Sequence, residues 1–237
     1  MYDARSSSSH SSGYKALDDD RMGFIRKVYG ILSAQLVLTA LICLIPFTSY
    51  DARMFFIRNS GLVLFFMIVG LVLICMLACV KNLARSVPTN YIILFTFTAC
   101  EAYLVAYCCA VVGDPRLVLT ATFMTAGIVV ALTMYALTTK KDFTMCGGML
   151  WVCLMSLIML GLFSIFFGPA FDLVICCFGV VLFGIYLIAD TQMIVGGRSH
   201  QLDKDEYVFG ALMLYLDILN IFLYLLQILA ILGGGGD

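Results

Sequence analysis

Three acidic side chains lie inside stretches of the chain that are otherwise apolar: Glu101, Asp190 and Asp217. No Lys, Arg or His lies well inside the same stretches. Burial of a carboxylate in hydrocarbon costs roughly 3 kcal/mol on insertion scales, so an acid at this depth is a candidate functional residue. Without a basic partner, each carboxylate must be protonated, share a proton, bind a cation or face water. We therefore expect these residues to handle protons or cations.

Asp190 and Asp217 are candidates for a coupled pair. If their side chains lie within hydrogen-bond reach, like-charge repulsion in a low dielectric favours one shared proton, and the pair titrates as a unit. Loss of that proton would leave two repelling charges that either separate or admit a cation. Calcium suits such a site because it binds carboxylate, carbonyl and water oxygens in flexible geometry. We predict a pH-sensing and gating pair at Asp190 and Asp217, and transient calcium ligation by these two residues and Glu101.

Other polar residues accompany the three acids at helical spacing. Positions i, i+3, i+7 and i+10 of the last apolar stretch share one helix face and are all polar: Asp217, Asn220, Tyr224 and Gln227. The predicted lining residues of a pathway are therefore Glu101, Thr98, Tyr186, Asn220, Tyr224 and Gln227. For Glu101, an inter-helix hydrogen bond that locks the bundle explains the residue equally well.

Composition identifies the elements that must position these side chains. The chain is 62% hydrophobic and only 12% charged, with a mean hydropathy of +1.03, which is typical of a membrane protein. An apolar helix of about 20 residues crosses about 30 Å of hydrocarbon, and seven stretches are long enough: 28–47, 61–80, 90–112, 117–139, 146–170, 173–195 and 207–232. The sequence thus predicts an all-α polytopic membrane protein with seven transmembrane helices in one bundle.

Several function classes are disfavoured by composition and motifs. A net charge of −1 leaves no basic face that could neutralise a nucleic acid. The ten cysteines lie in or beside apolar stretches without a Cys-x-x-Cys pair, so they read as small hydrophobic residues rather than zinc or haem ligands. No hydrolase or nucleotide-binding motif is found, and the surroundings of Asp190 and Asp217 differ from those of intramembrane aspartyl proteases. We therefore predict no enzyme and no cofactor.

The basic residues predict the orientation and the domains. Of the 14 Lys and Arg residues, only Arg53, Arg58 and Arg116 fall on the side of the membrane opposite the N-terminus, so the N-terminus is expected in the cytosol. Residues 1–23 are rich in Ser and Asp and are predicted to form a disordered cytosolic tail. Residues 24–232 form the predicted seven-helix domain, and residues 233–237 a short C-terminal tail.

Motifs in the C-terminal third are more specific than hydropathy. They are Asp190-Thr-Gln-Met-Ile-Val-Gly-Gly197, Glu206-Tyr-Val-Phe209 and Leu214-Tyr-Leu-Asp-Ile-Leu-Asn220. Together with Phe97-Thr-Ala-Cys-Glu101 and the segment 135–144, they make the chain resemble the transmembrane Bax-inhibitor-motif family, and its lifeguard branch in particular. The resemblance extends over most of the chain from about residue 24.

This resemblance implies a central seventh helix, a calcium-permeable leak pathway and a pH-sensitive aspartate pair, which by motif position is Asp190 and Asp217. It also implies a location in endoplasmic reticulum, Golgi or plasma membrane, with the mitochondrial inner membrane less expected, and roles in calcium homeostasis and suppression of cell death. The expected function is thus a pH-sensitive calcium leak channel or a proton-coupled calcium transporter.

A non-conducting membrane scaffold or regulatory subunit that binds other membrane proteins is the alternative. The expected partners are membrane lipid, calcium ion and other membrane proteins, and not nucleic acid. Access of water to the acids distinguishes the two functions, because a cation pathway needs hydrated carboxyl groups and a scaffold does not.

Overall fold

A computed structural model of the chain describes residues 4–80 and 86–233. In these residues the fold is built from eight α-helices, α1 (Ala4–Leu44), α2 (Tyr50–Arg58), α3 (Ser60–Cys79), α4 (Thr89–Val112), α5 (Pro115–Thr138), α6 (Gly147–Phe163), α7 (Pro169–Val195) and α8 (Tyr207–Gly233). Three short 3₁₀ turns adjoin them, at Ile45–Phe47, Thr144–Cys146 and Ser164–Phe166.

Seven of the described helices are long and apolar enough to cross a membrane. The candidate spans are Asp20–Phe47, Ser60–Leu77, Thr89–Val112, Pro115–Thr138, Thr144–Phe166, Pro169–Val195 and Tyr207–Gly233. They coincide with the seven stretches expected from hydropathy, so the predicted all-α, seven-span class is confirmed. Helix α2, with nine residues, is too short to cross and connects the first two spans.

Local sequence explains the tight turn between α4 and α5. Gly113 has a φ of 69°, a left-handed conformation that glycine adopts without steric cost, and its N–H donates to the carbonyl of Cys109 at 2.9 Å. The Asp114 carboxylate then accepts the N–H of Arg116 at 2.8 Å, and Pro115 occupies the first helical turn of α5, where its missing N–H has no cost. Two residues therefore reverse the chain between neighbouring spans.

Helix α8 packs against four other spans. Its most extensive neighbour is α7, and it also contacts α1, α5 and α4. Tyr215, Leu212 and Ile221 of α8 are fully buried in the main hydrophobic core. Half of the third span is buried, against 39% of the seventh, so a central position of the seventh helix stays a prediction.

An arginine at the start of the first span caps the C-terminal end of α7. The guanidinium of Arg21 donates to the carbonyls of Met193 at 2.7 Å, Val195 at 3.2 Å and Leu202 at 2.9 Å. Carbonyl groups at a helix C-terminus lack partners within the helix and carry partial negative charge, so a cation is stabilising there. Gly196, with a φ of 82°, permits the approach, since a Cβ at this position would lie 2.9 Å from the guanidinium.

A second arginine caps α4 in the same manner at the opposite end of the bundle. The Nε of Arg53 donates to the carbonyl of Ala110 at 2.8 Å, and its guanidinium lies directly over Gly113. Arg53 thus fastens α2, which precedes the second span, onto the end of α4.

The first helix extends into the N-terminal segment. Helix α1 begins at Ala4, within the predicted disordered tail of residues 1–23. Ser and Asp are weak helix formers, but no proline precedes Pro46, and a helix that is already nucleated by the first span propagates at low cost. The disordered character of residues 1–23 and the division into three domains both stay predictions. Residues 234–237 of the predicted C-terminal tail lie outside the described residues.

Candidate functional site

Asp190 and Asp217 meet at the contact between α7 and α8. Their side chains are hydrogen-bond partners, and the residues are only 5% and 4% exposed. A carboxylate has no hydrogen to donate, so this bond requires that one of the two groups carries a proton. The geometry therefore brings together the two residues that were predicted as a pair.

The pair has no countercharge in the part of the chain that the structure describes. Lys204 is paired with Asp20 at the surface, 2.9 Å apart, and the electrostatic interactions of the two aspartates include no basic side chain. In addition, Oδ2 of Asp217 is buried and receives no hydrogen bond from a described N–H or O–H group. Two buried carboxyl groups, one of which has an oxygen without a hydrogen bond, destabilise a core rather than stabilise it. Buried polar atoms without a partner are rare in folded proteins, so this one calls for a functional explanation.

Tyr186 is a predicted lining residue that lies beside the pair. It lies one turn before Asp190 on α7, is half-buried, and interacts electrostatically with both carboxyl groups. Its ring packs on Phe183 with the centroids 5.9 Å apart. Tyr186 thus borders the pair, and its role in lining a pathway stays a prediction.

The polar stripe of α8 does not face the pair as a unit. The side-chain amide of Asn220 donates to the carbonyl of Leu216 in its own helix at 2.8 Å. Tyr224 packs against α7, where a Cβ at Gly179 would lie 2.6 Å from its ring. Gln227 is exposed on the outer surface. Their role in lining a pathway stays a prediction, and of the four residues Asp217 is the hydrogen-bond partner of Asp190.

Glu101 and Thr98 lie elsewhere in the bundle. Glu101 is half-buried against α3, where its Oε1 would be 3.2 Å from a Cβ at Gly70. The hydroxyl of Thr98 donates to the carbonyl of Leu94 and accepts from Nε2 of Gln35, both at 2.9 Å. In residues 4–80 and 86–233 no group of three or more Asp, Glu, His or Cys side chains could hold a metal ion. The structure therefore does not bring Glu101 to the aspartate pair, and calcium as a passing ion stays a prediction.

The sequence analysis missed a buried polar network between α1, α4 and α8. It comprises Gln35, Thr39, Thr98 and Tyr215, which we call the Gln35 network. The hydroxyls of Thr39 and Tyr215 lie 2.7 Å apart, and Thr39 also donates to the carbonyl of Gln35 at 2.9 Å. All four residues are at most 5% exposed. A polar residue at Gln35 and again at Thr39, one turn later in an apolar helix, was the available signal.

Gln192, which lies two residues after Asp190, was also missed. Its Oε1 accepts the N–H of Phe143 and its Nε2 donates to the carbonyl of Lys141, both at 2.9 Å. The residue is 2% exposed. Gln192 therefore fixes the loop between α5 and α6 to the C-terminal end of α7, which is the end that Arg21 caps.

Asp142 also joins the loop between α5 and α6 to the segment that follows α7. Its Oδ1 accepts the hydroxyl of Thr144 at 2.6 Å and the N–H of Thr144 at 3.0 Å, and its Oδ2 accepts the N–H of Ser199 at 3.0 Å. The bonds from Thr144 and Ser199 stabilise the ionised form and hold the pKa of Asp142 below its ordinary value. The segments that precede α6 and follow α7 are thus joined next to the membrane.

The fold and site define a class: a seven-span, all-helical membrane protein with a buried aspartate pair between its last two helices. The family described as "Inhibitor of apoptosis-promoting Bax1" matches residues 21–234. The chain is 38% identical to Bax inhibitor 1 of Schizosaccharomyces pombe, over 90% of this chain and 77% of the relative. It is 38% identical to Protein lifeguard 4 of Mus musculus, over 88% and 85% of the two chains. Identity to the Golgi anti-apoptotic protein of Vaccinia virus (strain Lister) is 36%, over 89% and 86%.

These matches extend over most of the chain at well above 30% identity. The protein is therefore a member of the Bax inhibitor family, which confirms the resemblance seen in its motifs.

Proposed function

We propose that the protein is a pH-sensitive calcium leak channel of endomembranes, gated by Asp190 and Asp217. One observation carries the proposal: two buried carboxyl groups on adjacent transmembrane helices are hydrogen-bond partners without a basic partner among the described residues. Their contact depends on one proton, so the α7–α8 contact responds to proton concentration.

Removal of the shared proton supplies the force for opening. Two unit charges about 4 Å apart repel each other by about 4 kcal/mol at an effective dielectric of 20. Helix separation, entry of water or binding of a cation relieves this repulsion. A hydrated calcium ion then finds two carboxylate groups at the pair, and carboxylate and water oxygens are among the ligands it prefers. A proton-coupled transporter uses the same pair, with calcium entering in exchange for the proton.

The cellular role follows from the relatives. Bax inhibitor 1 and the Golgi anti-apoptotic protein carry names that describe suppression of cell death. We extend this role, with calcium homeostasis as its physical basis, to the present chain in endoplasmic reticulum, Golgi or plasma membrane. The N-terminus is proposed to lie in the cytosol because most Lys and Arg residues fall on that side. That the protein is no enzyme and needs no cofactor stays a prediction.

A non-conducting scaffold is the second candidate. The observation in its favour is that both carboxyl groups are shielded from solvent, at 5% and 4% exposure, as a purely structural contact requires. In this case the shared proton is permanent and α7 and α8 do not separate.

Calcium flux into liposomes distinguishes the two candidates. Purified protein is reconstituted, and flux is followed between about pH 5 and 8 for the parent, Asp190→Asn and Asp217→Asn. An Asn side chain donates a hydrogen bond to the remaining carboxylate at any pH, so both variants should lose the pH dependence. Asp172→Asn is the matched control, since Asp172 lies in the first turn of the same helix, and it should keep the parent profile.

Two results would overturn the proposal. If folded parent protein gives no flux above that of empty liposomes at any pH, the scaffold is favoured. If both Asn variants retain the parent pH profile, the pair is not the gate.

A further inference from the structure

A pair of thiols lies at the contact between α1 and α4, away from the aspartate pair. Cys43 packs against the hydrophobic cluster to which the buried Cys109 belongs, and the two side chains are hydrogen-bond partners. Cys43 is in the last turn of α1 and Cys109 is in the last turn of α4. Two thiols within hydrogen-bonding reach on neighbouring helices are candidates for a disulfide.

The surroundings of the two cysteines allow close approach of the helices. Cys43 packs on a small cluster of Phe56, Ala106 and Ala110. Ala106 and Ala110 are fully buried, and small residues at four-residue spacing let helix backbones come close together. The sulfur atoms are therefore held together by the packing of their helices.

Exposure differs between the two residues. Cys43 is half-buried, whereas Cys109 is 0% exposed. A small oxidant therefore reaches Cys43 first, and Cys109 is placed to react with the oxidised sulfur. This is the arrangement of an attacking and a resolving cysteine.

We propose that Cys43 and Cys109 form a reversible disulfide when the protein meets a peroxide. The Cys43 thiolate attacks one oxygen of hydrogen peroxide, which breaks the O–O bond and gives a sulfenic acid at Cys43 and hydroxide. The sulfur of Cys109 then attacks the sulfenic sulfur, the S–S bond forms, and the sulfenic oxygen leaves as water with the protons of the thiols. Overall two thiols and one peroxide give one disulfide and two waters, and a thiol reductant reverses the reaction.

The position of the pair gives the modification a consequence. With the predicted cytosolic N-terminus, the ends of α1 and α4 face the lumen or the cell exterior, where disulfides persist. The bridge would join the first span covalently to the third, beside the cap that Arg53 forms on α4.

The other cysteines provide internal controls. All ten cysteines are free, and Cys108 directly precedes Cys109 on α4. Because consecutive helix positions point about 100° apart, Cys108 does not share the contact with Cys43. Cys75 and Cys79 are exposed on α3.

The test is peptide mass spectrometry of purified full-length protein after graded hydrogen peroxide and alkylation of the remaining thiols. The parent should lose two of its ten alkylatable thiols before the others react, and yield a peptide pair that links Cys43 to Cys109 and separates on reduction. Cys43→Ser should form no such link and should leave Cys109 alkylatable. Cys108→Ser should behave as the parent does.

Three results would overturn the proposal. They are a first-formed disulfide that involves other cysteines, overoxidation of Cys43 while Cys109 stays reduced, and loss of the link in Cys108→Ser. Because the parent alone yields the first two readouts, the test does not depend on the folding of a variant.

Discussion

The hydroxyl groups of Thr39 and Tyr215 lie 2.7 Å apart between the first and the last span. The hydroxyl hydrogen of Thr39 goes to the carbonyl of Gln35, so Tyr215 is the donor in this bond. Both residues are at most 5% exposed. The contact therefore joins α1 to α8 by a hydrogen bond that water does not reach.

Tyr215→Phe should lower the free energy of unfolding by about 1 to 2 kcal/mol, since it removes this buried hydrogen bond while the ring remains packed on Phe97. Denaturant-induced unfolding in mixed micelles measures the change. Tyr135→Phe is the matched control because Tyr135 is 42% exposed, and it should leave the midpoint unaltered. An equal effect of both substitutions would contradict a specific role of the Thr39–Tyr215 contact.

Gln192→Leu should destabilise the protein by roughly 1 to 3 kcal/mol. The substitution leaves the N–H of Phe143 and the carbonyl of Lys141 without their side-chain partner, and a buried unpaired backbone group carries most of its desolvation cost. Faster hydrogen exchange at Phe143 should accompany the loss. In the control Gln227→Leu, which alters an exposed glutamine, exchange at Phe143 should be unchanged.

Gly179→Ala should weaken the contact between α7 and α8. The added Cβ would lie 2.6 Å from the ring of Tyr224, and overpacking of this kind costs typically 1 to 3 kcal/mol. Gly127→Ala is the matched control, because a Cβ at this helical position meets nothing within 4 Å. Thermal unfolding in detergent should give a lower midpoint for the first variant and an equal or higher midpoint for the second, and the reverse order would refute the predicted clash.

The contact of Asp142 with Ser199 should weaken in acid. The pKa of Asp142 is lowered in the folded protein by its bonds from Thr144 and Ser199, so its contribution to stability is fully present above the unfolded pKa of about 4 and is lost as pH falls towards the folded value. Hydrogen exchange at the N–H of Ser199, corrected for its intrinsic rate, should become faster below about pH 4.

Asp142→Asn is the control for this pH dependence. Asn keeps an oxygen for Thr144 but presents an amide to Ser199, so exchange at Ser199 should be fast at every pH and lose its acid transition. A parent protein whose corrected exchange at Ser199 is constant down to strong acid would contradict the role of the carboxylate.

Much of the fold could be predicted because each span is a long apolar segment with a clear end. The aspartate pair could also be predicted, since an acid in an apolar helix is costly wherever the helix packs. Gln227 shows the limit of periodicity. Gln227 lies ten positions after Asp217, and at about 100° per position its side chain points about 80° away from that of Asp217 around the helix axis. Gln227 consequently faces outwards.

The spacing of Gln35 and Thr39 indicates a polar face on α1, but it could not predict which residues of other helices that face contacts. A threonine in a helix satisfies its hydroxyl with its own backbone, as Thr39 does with Gln35, so its second partner depends on how the helices are rotated against one another. Glu101 illustrates the same point, because it lies three residues from Thr98 and yet packs on α3 instead of α1. Long-range rotation of helices is a property of the whole bundle.

Tyr215 and Asp217 are two positions apart in the chain, which places their side chains about 200° apart around α8. One side chain binds the first span and the other the sixth. A turn of α8 about its axis that carries Asp217 away from Asp190 must also displace Tyr215 from Thr39. Helix α8 therefore contacts α1 and α7 through hydrogen bonds at almost the same height. A rotation of α8 that breaks one of these hydrogen bonds also strains the other.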